Sequence, residues 1–192
     1  RKKFILKSCY SPFNINHLIT HRFDTTAWSC YNLPMIKNIV IFDLDQTVID
    51  SSHRNPCNAD GTINLEKYFK LKTRTNIFKD KLLPLAKIFK QVKRDGNYVV
   101  IATARNMDHD DIDFLKANGL IADKILSRRW VVENDVPDAQ LKARKLQQLF
   151  NLKQFQNANK IMFDDSQPVI TKMRQMGIVT LNAIKVNKKL ST

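Results

Sequence analysis

Ile39-Val40-Ile41-Phe42-Asp43-Leu44-Asp45-Gln46-Thr47 decides how the rest of the chain is read. Four apolar residues in a row, without alternation, read as a strand buried on both faces, as in a parallel sheet. Side chains alternate along a strand, so Asp43 and Asp45 leave its end on the same side. In open parallel sheets, ligands collect just beyond the carboxyl ends of the strands. Two acids there repel each other unless a cation or a shared proton compensates. Oxygen donors of this kind call for a hard cation, with magnesium the expected ion. Asp45 alone could equally be a turn former or a helix N-cap, so the residues after the later strands carry the decision.

Tyr98-Val99-Val100-Ile101-Ala102 is a second buried strand and runs into Thr103-Ala104-Arg105. Lys124-Ile125-Leu126 is a short third strand. Lys160-Ile161-Met162-Phe163 is a fourth, ending in Asp164-Asp165, and Ile178 to Leu181 is a fifth. Between them the spacing predicts helices over 64–74, 78–94, 109–118, 138–150 and 167–176. Residues 50–62 and 127–137 read as loops, and 185–192 as a loosely held polar tail. This alternation calls for a doubly wound, mostly parallel five-stranded Rossmann-like α/β sheet with helices on both faces and a minimal cap.

Residues 1–34 differ: they are polar and aromatic, with no sustained period. The expected domain therefore runs over 35–192, and 1–34 is expected to be an extension, non-native residues or a translated upstream segment. The chain carries a formal charge of +14, from 32 basic and 18 acidic residues. Without 1–34 it would be about +10, so the basic character belongs to the domain. Such an excess favours polyanionic partners or substrates without determining the fold. Cys9, Cys30 and Cys57 are odd in number and widely spaced, which argues against a zinc site or a disulfide framework and for a reducing cytoplasm. No apolar run approaches the roughly 20 residues that span a bilayer. No membrane or protein partner is expected.

Three strands thus end in reactive residues: Asp43 and Asp45, then Thr103, then Asp164 and Asp165. Lys142 lies on the helix before the last pair. In this order and spacing the chain resembles the haloacid-dehalogenase-like phosphohydrolases over residues 36–184. Asp43-Leu44-Asp45-Gln46-Thr47 looks like the first motif, Thr103 the second, Lys142 the third and Asp164-Asp165 the fourth. Thr103-Ala104-Arg105, Pro137-Asp138 with Lys142 one turn later, and Phe163-Asp164-Asp165 further resemble the phosphatase half of phage-type polynucleotide kinase/3′-phosphatases. A receiver domain also gathers acids, Thr and Lys around magnesium, but its lysine follows the last strand, whereas here it precedes the Asp-Asp pair.

The resemblance implies that Asp43 attacks phosphorus to form an aspartyl-phosphate and that Asp45 is general acid, then general base. It implies magnesium held by Asp43, Asp45 through its backbone carbonyl, Asp164 and, directly or one shell out, Asp165. Thr103 and Lys142 would bind phosphoryl oxygens, and Arg105 would add a bidentate grip. Asp138 would orient Lys142 or Arg105, unless it is only an N-cap. Thr47, through the loop after Asp45, and Arg129 complete the phosphate- or substrate-binding candidates. Lys145 competes for the lysine role, and family spacing favours Lys142. His53, His109, Ser51 and Ser52 read as loop or surface residues. Gln46 stands where the family often has Gly.

No large cap is visible, and only 50–76 is free to form a flap. Lys67, Lys70, Lys72, Arg74, Lys79 and Lys81 near the entrance could track a nucleic-acid backbone. Tyr68, Phe69 and Trp130 could stack on a base, although Tyr68 and Phe69 read more readily as core. The leading expectation is a magnesium-dependent phosphomonoesterase acting on phosphorylated nucleic-acid 3′ ends. The alternatives are a (deoxy)nucleoside monophosphatase, with a base pocket made by the flap, and a non-catalytic basic nucleic-acid-binding module on the same fold.

Overall fold

The computed structural model describes residues 36–60 and 63–192. The expected extension over 1–34 and its boundary at Met35 lie outside the described residues. β1 (Asn38–Phe42) is the centre of a five-stranded parallel sheet. Its neighbours are β4 (Tyr98–Ala102) and β6 (Asn159–Asp164), flanked by β5 (Lys124–Leu126) and β7 (Val179–Asn182), in the order β5-β4-β1-β6-β7. Phe42 is in register with both Ile101 and Phe163. The three central strands therefore end level, and the residues that follow them share one edge.

Period-two alternation in β1 feeds two cores. Val40 and Phe42 face one side, with Leu85 and Phe89 of α3 (Leu85–Arg94), Phe114 of α4 (His109–Ala117) and Ala183 of α8 (Ala183–Leu190). Phe42 stacks on Phe163 at 5.1 Å between ring centroids and meets Phe89 at 5.0 Å. Ile39 and Ile41 face the other side, with Leu146 and Phe150 of α6 (Asp138–Phe150) and Met173 of α7 (Gln167–Gln175). These are the two helical layers that a sheet apolar on both faces requires. Among the described residues, no helix is long and apolar enough to cross a membrane.

Four expectations need correction. The helix expected over 78–94 starts only at Leu85, behind Pro84. Proline lacks the N–H and disfavours helix in the residue before it, so it starts helices rather than continuing them. The preceding Lys81–Leu82 forms β3, antiparallel to β2 (Ile49–Asp50). This pairing closes the base of a flap, residues 51–80, longer than the expected 50–76. The flap carries α1 (Leu65–Leu71) and α2 (Arg74–Ile77). The loop at 127–137 contains one further turn, α5 (Trp130–Glu133).

The polar tail is not loose either, because it forms α8. Asn187 is buried there: its Oδ1 accepts from Leu85 N at 2.8 Å and its Nδ2 donates to Thr47 O at 3.0 Å. It therefore caps the open N-terminus of α3, which Pro84 cannot cap with a side chain.

Candidate active site

The chemistry-bearing residues stand at the level strand ends. Asp43 N still donates to Phe163 O at 2.9 Å, and Thr103 N to Leu126 O at 2.9 Å, so the sheet ladder holds both residues. Lys142 enters from the second turn of α6. Its Nζ donates to Asp43 Oδ1 and to Asp164 Oδ2, each at 2.7 Å. Asp43, Thr103, Lys142 and Asp164 are all buried. Lys145, on the adjacent part of the same helix, turns instead to Glu133 at 2.8 Å.

The electrostatics are unbalanced. Burial, with Asp164 and Asp45 adding repulsion, pushes the Asp43 carboxyl up to about 7 even though Lys142 opposes the shift. Burial and the charge of Asp43 push Asp165 up to about 6. Asp164 is also raised, mainly by burial. Burial works against the Lys142 ammonium, but Asp43 and Asp164 outweigh it and hold the group protonated. One ammonium thus faces three carboxylates. Asp43, Asp164 and Asp165 each offer an oxygen, all within 4.8 Å of one another. A compact donor set made only of oxygen fits a hard divalent cation, which would supply the missing charge.

Asp45 stands apart from that cluster. Its carboxylate turns toward the flap, where Arg105 grips both oxygens: Nε reaches Oδ2 at 3.1 Å and Nη2 bonds Oδ1. Burial would raise the Asp45 carboxyl, but the Arg105 charge and hydrogen bonds, with one from Ser51, hold it below the usual range. Arg105 is itself buried and spans to Asp111 Oδ1 at 2.7 Å. Its backbone N donates to Thr103 Oγ1 at 3.1 Å.

Other candidates sit elsewhere. Thr47 is fully buried behind the cavity wall, where its carbonyl accepts from Asn187. Arg129 is exposed and pairs with Glu133 at 3.7 Å. Its neighbour Arg128 is the buried one, on the cavity wall. Arg128 donates to Ala104 O at 2.9 Å, Val136 O at 3.0 Å and Asp138 Oδ1 at 2.7 Å. Asp138 therefore orients Arg128 rather than Lys142 or Arg105. Ser51, read from sequence as a loop or surface residue, is fully buried and donates to Asp45 Oδ1. A lone serine in a polar stretch carries no signal of that role. Gln46 adopts φ 53°, a left-handed conformation that explains why glycine suits this position.

A cavity of about 600 Å3 leads from Asp43, Thr103 and Lys142 out to the flap. Its outer wall includes Ile63, Leu65, Tyr68 and Phe69. No residue of α1 is buried, so Tyr68 and Phe69 line the cavity instead of a core. The side chain of Trp130 lies outside what the structure describes. Half of the expected basic track is engaged: Lys70 pairs with Glu66 at 2.6 Å, Lys72 with Asp108 at 2.7 Å, and Arg74 with Asp110 at 2.8 Å.

The profile of a family described as bacteriophage T5 5′-deoxynucleotidase matches residues 28–192. A 5′-deoxynucleotidase of Escherichia phage T5 is 32% identical over 178 residues, which cover 83% of this chain and 72% of that protein. Among solved structures, the haloacid dehalogenase-like family protein SP0104 of Streptococcus pneumoniae superposes with a TM-score of 0.51 at 18% identity, covering 76% of this chain and 84% of that one. A chain of the Pnkp1/Rnl/Hen1 RNA repair complex superposes with a TM-score of 0.54 at 21% identity, covering 83% of this chain and 46% of that one. The fold is haloacid-dehalogenase-like.

Proposed function

The chain belongs to the bacteriophage T5 5′-deoxynucleotidase family of haloacid-dehalogenase-like phosphomonoesterases, and from that premise we propose that it removes the phosphate from deoxynucleoside 5′-monophosphates with magnesium. The observation that carries the choice of substrate is the cavity. It is large enough for one small ligand, acidic at the Asp43 end and apolar at the flap end. A nucleotide has that polarity, with phosphate at one end and a base at the other. Lys70, Lys72 and Arg74 already face carboxylates, which leaves less positive surface for a strand to follow. The mononucleotide reading is thus favoured over hydrolysis of nucleic-acid 3′ ends. A cytoplasmic location follows from that substrate.

In this mechanism Asp43 Oδ2, the oxygen not engaged by Lys142, attacks phosphorus in line and the bond to O5′ breaks. Asp45 gives its proton to O5′, then takes a proton from the water that hydrolyses the aspartyl-phosphate. Lys142 and Thr103 hold phosphoryl oxygens as charge develops. Asp43, Asp164 and Asp165, with the Asp45 carbonyl, would hold magnesium, which neutralises the acids and lets an anionic phosphate approach. Arg105 aligns Asp45, and Tyr68 and Phe69 form the nucleoside wall.

The test is phosphate release, with magnesium, from a panel of deoxynucleoside 5′-monophosphates beside a 3′-phosphorylated oligonucleotide, with Asp43→Asn as control. Release mainly from the mononucleotides, lost in Asp43→Asn, is expected. Release from the oligonucleotide alone would return the assignment to end processing.

A further inference from the structure

The excess positive charge of the domain is not spread evenly. Residues 81–94 and 166–192 carry ten basic side chains and no acidic one, whereas the remainder of 35–192 holds seventeen of each. These two segments contain α3 and α8, which pack together: Asn187 of α8 reaches Leu85 at the start of α3. Leu85, Ala86 and Phe89 are buried, so the helical period turns Lys87 and Arg94 outward. In α8, Ala183 and Asn187 are buried, and Lys185, Lys188 and Lys189 are exposed. Lys93 pairs with Asp123, but none of these five cations is in an ion pair among the described residues. Arg94 donates to Gln91 Oε1 of its own helix at 2.6 Å, and Asp95, the nearest acid in sequence, accepts from the same glutamine at 2.8 Å. None of the five lines the cavity. Helix stability does not account for their placement. Arg94, Lys188 and Lys189 sit in last turns, where the helix dipole favours cations. Lys87 and Lys185 sit in first turns that hold no acid, where the dipole opposes them. Lys185 and Lys189, four apart on one helix, are like charges that repel.

We propose that the α3–α8 face binds the phosphate backbone of duplex DNA. Helices packed about 8–10 Å apart present their cations to a ligand that offers one negative charge per about 1.7 Å. A lipid surface fits less well. A helix that lies on one keeps an apolar face for the acyl chains, whereas α8 gives Ala183 and Val186 to the core and leaves only Ile184 and Leu190 exposed. The choice of DNA over RNA rests on the proposed substrate. Deoxynucleoside 5′-monophosphates are supplied by hydrolysis of DNA, in which water adds to phosphorus, the P–O3′ bond breaks and O3′ leaves as a hydroxyl. An enzyme held on DNA by a face away from its cavity meets that product where it is released.

The test measures, by fluorescence anisotropy, binding of the full chain to a labelled duplex of about 20 base pairs across about 0.05–0.2 M salt. Both ends of the duplex are hydroxyls, so it offers the active site no phosphomonoester. One variant combines Lys87→Gln, Lys185→Gln, Lys188→Gln and Lys189→Gln. A control variant combines Lys67→Gln, Lys124→Gln, Lys153→Gln and Lys172→Gln, which removes the same charge outside the face. Wild type is expected to bind, with an affinity that falls steeply as salt rises. The face variant is expected to raise Kd at least about 10-fold at about 0.1 M salt, and to flatten the slope of log K against log salt by about 0.9 for each lysine that meets a phosphate. The control variant should stay within about 3-fold of wild type, with nearly the wild-type slope. Both variants are expected to melt as wild type does. Phosphate release from mononucleotides reads the substrate assignment separately, and the face variant keeps the wild-type rate. No binding by wild type at the lowest salt, equal losses in the two variants, tighter binding of a duplex RNA of the same sequence, or binding only to vesicles of anionic phospholipid would overturn the proposal.

Discussion

Two residues report how charge is balanced inside the domain. Lys142 is the only ammonium between Asp43 and Asp164 among the described residues. Lys142→Met keeps the length of the side chain but removes the charge and both hydrogen bonds. Loss of one such transition-state donor is expected to lower kcat by about 10²–10³, measured as phosphate release, with far-UV circular dichroism unchanged. Glu133 is a structural counterpart. Burial would raise its carboxyl, but hydrogen bonds from Lys145 and Arg129 N, with the Lys145 and Arg129 charges, bring it down to about 2. A folded value below the unfolded 4.5 means that stability is fully present above about 4.5 and is lost as pH falls toward 2. The half-exposed Arg144, 2.7 Å from Glu133, and exposed Arg129 are screened, so the contribution is set at about 1–2 kcal/mol. Urea unfolding of wild type and Glu133→Gln is expected to differ by that amount at pH 7 and to converge toward pH 2. At this scale family spacing favoured Lys142 over Lys145; three apart on a helix the two are neighbours, and the fold turns one to Asp43 and Asp164 and the other to Glu133. Sequence could not distinguish Arg128 from Arg129. They are identical neighbours in a loop, and only the carbonyls of Ala104 and Val136, brought in by the fold, decide which one turns inward.

At the scale of elements, runs of local sequence were legible where one force dominated. The five strands and the helices over 138–150 and 167–176 follow from continuous apolar runs and helical spacing. α3 was read too long because its apolar period continues through Leu82 and Leu83, and the backbone limits set by Pro84 override it. α8 was missed because its docking depends on Asn187, a polar residue whose two partners lie more than 100 positions away in sequence. α1 is the instructive element. Its sequence has an apolar face, yet it has no buried residue, and Leu65 and Phe69 remain 47% and 44% exposed. A helix in water does not keep such a face without something to cover it, and here the face borders the cavity. If the nucleobase covers it, Phe69→Ala removes a stacking surface worth about 1–3 kcal/mol per base. The expected outcome is a KM for deoxynucleoside monophosphates raised about 5- to 150-fold, as that energy implies. The kcat/KM for p-nitrophenyl phosphate should be unchanged, because it presents no nucleoside to the wall. Equal effects on both substrates would mean that α1 only supports the flap.

For the whole molecule, the question is whether the flap is a loose lid or part of the scaffold. The order of strands and motifs already pointed to the α/β body and to a small insertion after the first motif. The ties between the two could not be read, because they join Arg54, Lys72 and Arg74 to a run of acids at the start of α4 that by itself reads as an ordinary helix N-terminus, and Asp80 to Arg105. Two kinds of tie exist. Arg74 reaches Asp110 at 2.8 Å and Asp113 at 2.9 Å, with its side chain 55% exposed. Such pairs are worth about 0–1 kcal/mol and weaken with salt. Arg54 and Asp80 form a buried bidentate pair inside the flap, at 2.8 and 2.6 Å, and that pair meets the body through Asp111, 3.7 Å from Arg54, and Arg105, 3.9 Å from Asp80. Their attraction is hardly screened, and the loss of one partner strands a charge in the interior. The flap is therefore expected to stay docked at high salt. Between about 0.05 and 0.5 M salt, mononucleotide turnover should fall far less steeply than the activity of an enzyme that follows a polyanion. Arg74→Ala should cost about 0–1 kcal/mol in urea unfolding, most clearly at low salt. Asp80→Asn should cost about 3–5 kcal/mol at any salt and raise KM for mononucleotides, since the wall carrying Tyr68 and Phe69 would lose its anchor. Two variants equal in stability would mean that the buried pair is not what holds the flap, and a steep salt dependence of turnover would mean that the exposed pairs hold it instead.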